Sequence, residues 1–167
     1  VQRPMRRIHP AGLFEGVLPV QSESSALPIS SSSPAYRLRV AHHNGNVFDM
    51  HDPYSVPSIL SDFDRYLFGA GQHRQIYDKL GAHVRTVDDQ AGVNFTVWAP
   101  NAQSVQVIGD FNHWDGRGHT MQKHIPAGIW ELFVPNIGNG CKYKFRVRTF
   151  DGQVIDKTDP FGFYAEL

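Results

Sequence analysis

The chain has 167 residues, in which 16 Lys and Arg balance 16 Asp and Glu, and 41% of the residues are hydrophobic. This length suggests one full domain, with part of a second, and enough buried surface for a core. The composition excludes a disordered or collagen-like chain, and the lack of a basic surplus argues against a nucleic-acid partner. Cys141 is the single cysteine, so a reducing, cytoplasmic location is expected. The sequence has no long apolar run or signal-peptide segment, which argues against a membrane partner.

Residues 1–57 predict a partial β domain. The apolar segment around Leu13 is typical of one strand at most, and the Ser-rich residues 22–34 predict a loop. Residues 36–40 alternate apolar and basic side chains, which favours a half-buried strand. Asn44-Gly45 then predicts a two-residue hairpin turn, because both turn positions need positive φ. The chain begins at Val1 rather than Met, which suggests a piece of a longer protein.

Residues 58–84 predict a helical linker. Ser61 can cap a short helix that runs through Phe68, with Asp62 and Asp64 in its first turn. A second short helix is expected from Gln75 to Leu80.

Residues 85–167 predict an all-β module. Apolar and polar side chains alternate at residues 93–98, 104–107 and 142–148, and residues 129–134 are predicted as a further strand. Asp151-Gly152 predicts a hairpin turn into Val154. At least five short strands with turn signals in about 75 residues favour an immunoglobulin-like β-sandwich.

No residue of this chain is expected to be catalytic. No Gly-x-Ser-x-Gly string occurs, and Cys141 at the entrance of a strand is interpreted as a half-buried small hydrophobe. The acid pairs Asp88-Asp89 and Asp62/Asp64 stand in turn or cap contexts. The nine histidines are scattered without a ligand motif, so no metal site and no cofactor are expected.

A binding site is the more informative possibility. A strand ends at Gly109 and a turn-rich loop then carries Trp114 among polar residues. This ring either folds back on the sheet edge or offers a flat platform to a ligand with an apolar face and a polar rim, such as a pyranose. The basic row of residues 142–148 is either a solvated strand face or a set of donors to sugar hydroxyls. Trp98 and Trp130 lie within predicted strands and are expected to pack.

Several segments of this chain are similar to a known family. The strings Asn94-Phe-Thr-Val-Trp-Ala-Pro-Asn-Ala102, Gly109-Asp-Phe-Asn-His-Trp-Asp-Gly-Arg117 and Gly128-Ile-Trp-Glu-Leu-Phe133 resemble carbohydrate-binding module family 48. The segments at 60–64, 67–73, 80–83 and 157–165 resemble, more narrowly, the N-terminal region of bacterial 1,4-α-glucan (glycogen) branching enzymes of glycoside hydrolase family 13. Residues 1–50 look like the tail of an additional N-terminal sandwich found in the longer members.

The resemblance implies a parent enzyme that cuts α-1,4 links of glycogen and forms α-1,6 branches by a retaining mechanism. In the family the catalytic groups belong to a (β/α)₈ barrel after the module, so this chain alone is expected to be inactive. The residue matching Trp114 stacks on glucose and the one matching Lys144 hydrogen-bonds sugar hydroxyls. A second stacking Trp of kinase-type glycogen-binding modules is replaced here by Val154, which predicts weak binding.

Three hypotheses follow. The first is a non-catalytic region of a branching enzyme, which binds α-glucan chains and braces the barrel, its partner within the same protein. The second is a free-standing glycogen-binding regulatory module. The third is a purely structural docking face for the barrel, with no affinity for sugar.

Overall fold

The structure, a computed structural model, describes residues 2–17, 36–41, 43, 45–50, 52, 54–87 and 89–165. The chain divides into two units, residues 1–36 and 37–167. The loop predicted at residues 22–34 and the predicted turn residue Asn44 lie outside the described residues.

In the first unit, β1 (Arg6–His9) and β2 (Leu13–Glu15) form an antiparallel hairpin. The apolar segment around Leu13 forms one strand, β2, and its partner β1 was not predicted. The turn forms because Gly12 adopts a φ of +94° and its amide donates to the His9 carbonyl at 3.0 Å. An ion pair of 3.1 Å between Arg6 and Glu15 joins the two strands on their exposed side.

The second unit begins with the antiparallel hairpin of β3 (Leu38–Ala41) and β4 (Val47–Met50). This hairpin was predicted, but its connection is longer than two residues because Ala41 and Val47 are the last paired positions. Gly45 in this connection has a φ of +85°.

One short helix follows the hairpin, α1 (Asp62–Gly69), as the sequence predicted. Ser61 caps it: the Asp64 amide donates to Ser61 Oγ at 3.0 Å, and the Ser61 amide donates to the Asp64 carboxylate at 2.8 Å. The second predicted helix is shorter than expected, a single 3-10 turn at Ile76–Asp78, because Gly81 with a φ of +104° redirects the chain into a strand. Within the described residues no helix is long and apolar enough to cross a bilayer.

The remaining strands form an immunoglobulin-like β-sandwich of two antiparallel sheets. The four-stranded sheet has the order β5-β6-β9-β8, with β5 at Gly81–Val87, β6 at Gln90–Trp98, β8 at Gln122–His124 and β9 at Ile129–Pro135. The three-stranded sheet has the order β11-β10-β7, with β7 at Ala102–Gly109, β10 at Tyr143–Thr149 and β11 at Val154–Lys157. The edge strands β5 and β8 were not predicted. β8 has only three residues, and β5 carries polar side chains such as His83 and Arg85 among its apolar ones.

The core lies between the two sheets. Alternate apolar side chains of β6, β7, β9 and β10 meet there, including Phe95, Val105, Val107, Trp130 and Phe145. A second apolar cluster covers the outer face of the four-stranded sheet, where Leu60 and Leu80 pack on Ile129. The segment before the sandwich is therefore a third layer on that sheet.

The two strand tryptophans have different environments. Trp130 is buried, as expected, and its indole nitrogen donates to the Ala99 carbonyl at 2.8 Å. The expectation that Trp98 packs was wrong, because 55% of its surface is exposed. Trp98 ends β6 on the face opposite Phe95 and Val97, so its ring does not enter the core between the sheets.

Candidate functional site

A loop between β7 and β8 carries the residues that the sequence analysis singled out. It contains two 3-10 turns, Asp110–Asn112 and Gly116–Gly118. Asn112 ties the loop to β7: its side-chain oxygen accepts from the Gly109 amide at 2.8 Å, and its side-chain nitrogen donates to the Val107 carbonyl at 2.9 Å. The loop is thereby closed on the end of its own strand.

An aromatic contact with the core fixes the same loop. Phe111 stacks on Phe95 of the core with ring centroids 5.8 Å apart, and it meets His119 edge-to-face at 5.4 Å. The Asn112 side-chain nitrogen lies 3.2 Å from His119 Nδ1. Burial lowers the pKa of His119, which favours the neutral ring in this position.

Trp114 stands at the tip of this loop in a left-handed backbone conformation. Its φ is +61° and that of His113 is +52°. Such angles cost about 1 kcal/mol or more for a residue with a Cβ, so the surroundings must impose them. The Trp114 amide donates to the Gly109 carbonyl at 2.9 Å, and 39% of the Trp114 surface stays exposed. The loop holds a half-exposed indole in a fixed place.

Two glycines let the loop and the neighbouring strand approach β7 closely. A Cβ on Gly116 would lie 2.7 Å from the Gln106 Cβ and 3.0 Å from an Ile108 methyl carbon. A Cβ on Gly109 would lie 2.3 Å from the Lys142 carbonyl oxygen. The loop after Trp114 therefore rests directly on the outer face of the three-stranded sheet.

Lys144 lies on the same face. It is paired with Ile108 across β10 and β7, and directly paired residues project to one side of a sheet. Gly116 covers Ile108, so the structure brings Lys144 next to the loop that presents Trp114. The Lys144 side chain is exposed. Both predicted binding residues thus lie at one end of the outer face.

The other basic residues of β10 are used differently. Arg146 makes two hydrogen bonds of 2.8 and 2.9 Å to the Asp156 carboxylate. These bonds lower the pKa of Asp156, with a smaller contribution from the charge of Lys144. Arg148 is exposed at the far end of the strand. The guanidinium of Arg146 is therefore already paired with Asp156, which leaves fewer than the four expected donors for a ligand.

Asp115 was not singled out from the sequence, although it follows the candidate platform. It accepts hydrogen bonds from Arg117, whose Nε lies 2.9 Å from one carboxylate oxygen, and these bonds lower the Asp115 pKa to about 2. The charge of Arg146 contributes in the same direction. The residues directly after Trp114 thus carry an ion pair of a carboxylate and a guanidinium at neutral pH.

A buried polar cluster lies on the outer face of the four-stranded sheet. The Glu131 carboxylate accepts from the Ile59 amide at 2.8 Å, from Ser58 Oγ at 2.5 Å and from the Asn94 side chain at 3.0 Å, and it lies 2.7 Å from His124 Nε2. Burial raises the Glu131 pKa, but the four hydrogen bonds together lower it by more, so the net shift of the pKa is downward. All four partners belong to the fold itself, so this cluster fastens the segment before α1 to the sheet. An acidic residue within an apolar strand was the signal for it.

Among the described residues, no group of three or more His, Cys, Asp or Glu side chains is placed to share a metal ion. Cys141 is partly buried at the entrance to β10.

Comparison with known proteins identifies the family of this chain. The family described as carbohydrate-binding module 48 (isoamylase N-terminal domain) matches residues 79–162, half of the chain. The chain belongs to this family. The match contains every strand of the sandwich, from β5 to β11, together with the Trp114 loop and Lys144.

The chain is also similar to proteins named 1,4-α-glucan branching enzyme GlgB. It is 52% identical over 167 residues to the one from Rhodopirellula baltica, a match that covers 100% of this chain and 22% of the relative. The identity is 45% over 164 residues with the one from Paramagnetospirillum magneticum, covering 98% and 20% of the two chains. It is 44% over 163 residues with the one from Rubrobacter xylanophilus, covering 97% and 21%. The chain therefore spans about a fifth of the length of these relatives.

Among solved structures, that of ligand-free PulA from Klebsiella pneumoniae matches 48% of this chain and 8% of its own, with 25% identity and a TM-score of 0.38. A likeness of this size carries no argument about the site.

Proposed function

We propose that this chain is a non-catalytic α-glucan-binding region of a 1,4-α-glucan branching enzyme, in which Trp114 and Lys144 contact the sugar. The observation that carries the proposal is that a loop with a half-exposed Trp114 packs on the same outer sheet face on which Lys144 is exposed. The indole would stack on the C–H face of a glucosyl ring. Lys144 would donate to its hydroxyls, and Asp115 would accept from them.

The same proposal assigns the chemistry of the longer protein to residues outside this chain. That protein would cut α-1,4 links and form α-1,6 branches in glycogen synthesis, in the cytoplasm. This chain, with the partial β domain at 1–57, the linker at 58–84 and the module at 85–167, would hold glucan chains near a catalytic barrel and brace it. The relatives named branching enzyme support this, since they align with 97–100% of the chain.

The rigidity of the Trp114 loop supports a binding role over simple packing. A ring that served only to cover the sheet edge would not need two successive left-handed residues, His113 and Trp114, to present it. Because the loop is already held by Asn112 and Phe111, little conformational entropy would be lost when a sugar binds.

Affinity electrophoresis tests the proposal. The chain and its Trp114→Ala and Trp114→Phe variants are run through native gels with and without glycogen, with a non-binding protein as the mobility reference. We expect glycogen to retard the wild type, Trp114→Ala to weaken this at least tenfold, about 1.4 kcal/mol, and Trp114→Phe to retain part of it. A folded wild-type chain that migrates without retardation would instead favour a purely bracing role. Equal retardation of wild type and Trp114→Ala would exclude Trp114 as the platform.

A further inference from the structure

The outer face of the four-stranded sheet carries a groove that the site above does not use. It lies between α1 and the turn at residues 125–127, and its volume is about 510 Å³. Trp98, Phe68 and Tyr66 contribute aromatic rings to it. The exposed fractions of Trp98 and Tyr66 are 55% and 67%. Two large exposed rings in one groove mark a contact surface.

The Trp98 ring is held in place. Its backbone is paired with Ile129 in the β6–β9 ladder, and Phe68 meets the indole edge-to-face with centroids 5.9 Å apart at 72°. Phe68 in turn belongs to the apolar cluster around Leu60 and Leu80. A ring supported in this way is a preformed platform, since it loses little side-chain entropy when a ligand covers it.

The rim of the groove is polar and electrically balanced. Arg65 donates to the carboxylate of Asp62 and, at 2.8 Å, to the Leu60 carbonyl. This pair offers hydrogen-bond donors and acceptors without a net charge. An anionic ligand would find no surplus cation here, whereas a neutral polyol with an apolar face would meet both a flat ring and a polar rim.

We propose that this groove is a second glucan-binding site, with Trp98 as its platform. The inference rests on the proposed function, because it takes the ligand class to be the same α-glucan. Trp98 projects from the outer face of the four-stranded sheet, while Lys144 and the loop that carries Trp114 lie on the outer face of the three-stranded sheet. The two sites therefore face opposite sides of the sandwich and are independent.

Two sites on opposite faces would increase the affinity for a polymeric ligand over that for a short one. A short oligosaccharide occupies each site separately, whereas a branched polymer with many chain ends can engage both. The chain should therefore bind glycogen more tightly than it binds maltoheptaose, and loss of either site should reduce that advantage.

The three tryptophans allow both sites to be read in one experiment. Maltoheptaose is titrated into ¹⁵N-labelled wild-type chain, and the three indole N–H resonances are followed by NMR after assignment with Trp→Phe variants. Trp130 is the internal control, because its indole is buried and bonded to the Ala99 carbonyl. We expect the resonances of Trp98 and Trp114 to shift and that of Trp130 to stay.

The possible outcomes separate the two proposals. A Trp114 shift without a Trp98 shift at saturating maltoheptaose would overturn the second site and leave the proposed function intact. The groove would then be a surface for protein contact. A Trp98 shift without a Trp114 shift would support the groove and overturn the first site. No shift at either resonance would overturn both.

A variant pair supplies an independent readout with glycogen. Trp98→Ala should weaken retardation in glycogen gels several-fold, and the double variant with Trp114→Ala should abolish it. Tyr77→Ala is the matched control, because Tyr77 is an aromatic residue of similar exposure, at 55%, that does not line the groove. Equal retardation of Trp98→Ala and Tyr77→Ala, with both folded, would contradict the second site.

Discussion

The Glu131 carboxylate, on β9, accepts a hydrogen bond of 2.8 Å from the backbone amide of Ile59. These two residues are 72 positions apart, and the family match begins only at residue 79. The segment before the sandwich is nevertheless bound to the sheet through a buried carboxylate and, next to it, through Leu60 packing on Ile129. The folding unit of this module therefore begins no later than residue 58, well before the start of the family match.

Glu131→Gln should destabilise the second unit by roughly 2–4 kcal/mol. The substitution keeps the size of the side chain but places an amide N–H₂ group where the carboxylate accepts from Ser58 and contacts His124. The amide N–H₂ group would need Ser58 Oγ and His124 Nε2 to become acceptors, and the charge that strengthens these buried hydrogen bonds would be lost. Urea denaturation followed by tryptophan fluorescence measures the change in the free energy of unfolding.

Glu15→Gln is the matched control for that variant. Glu15 pairs with Arg6 on an exposed hairpin, where an ion pair contributes about 0–1 kcal/mol. If the Glu131 and Glu15 variants had equal stability, the buried cluster would not hold the segment in the way described.

Acid should destabilise the fold as the pH falls below about 4. Glu131 and Asp64 both have lowered pKa values in the fold, although burial opposes the shift in each. For Asp64 the lowering comes from hydrogen bonds with Ser61 and His73 and from the charge of Lys79. A group whose pKa is lower in the folded than in the unfolded state stabilises the fold fully above its unfolded pKa, about 4, and loses this contribution as the pH falls toward the folded value.

Urea midpoints measured between pH 7 and pH 3 check this dependence. Asp64→Asn should flatten part of the decline, since an amide does not titrate. Midpoints that stay constant down to pH 3 in the wild type would contradict the lowered pKa values.

Local patterns were enough to predict much of the fold. The strands β6, β7 and β10 alternate apolar and polar side chains, and this period of two indicates a strand. Ser61 was recognised as a helix cap because capping depends only on residues three positions away. The edge strand β8 has three residues and was missed, since no pattern can be read from so few.

Features that depend on distant contacts could not be predicted. The exposure of Trp98 follows from where α1 ends on the outer sheet face, which the β6 pattern does not contain. The family strings indicated Trp114 and Lys144, and the fold places both on one face. Asn112 was missed as the residue that positions the loop, because its partners are backbone groups whose places depend on the turn itself.

Asn112→Ala should weaken glycogen retardation about as much as a change in Trp114 does, although Asn112 need not contact the sugar. Without its two bonds to Gly109 and Val107, nothing in the side chain enforces the left-handed conformation of His113 and Trp114. The free loop would have to be ordered when the ligand binds. The measurement is gel retardation together with the Trp114 indole resonance, which should broaden or move. Unchanged retardation would show that Phe111 and the backbone bond from Trp114 to Gly109 hold the loop without Asn112.

Lys144→Ala should weaken glycogen binding about three- to tenfold, whereas Arg148→Ala should leave it within twofold of the wild type. Both residues are exposed cations on the same face of β10. Four residues of strand separate them by roughly 13 Å, so only Lys144 lies at the end that carries the Trp114 loop. The two variants lose the same charge, which makes their mobilities in native gels directly comparable. Lys144→Arg should keep part of the affinity, because a donor remains. If Lys144→Ala and Arg148→Ala were retarded equally, the basic row would be a solvated strand face and Trp114 would act without it.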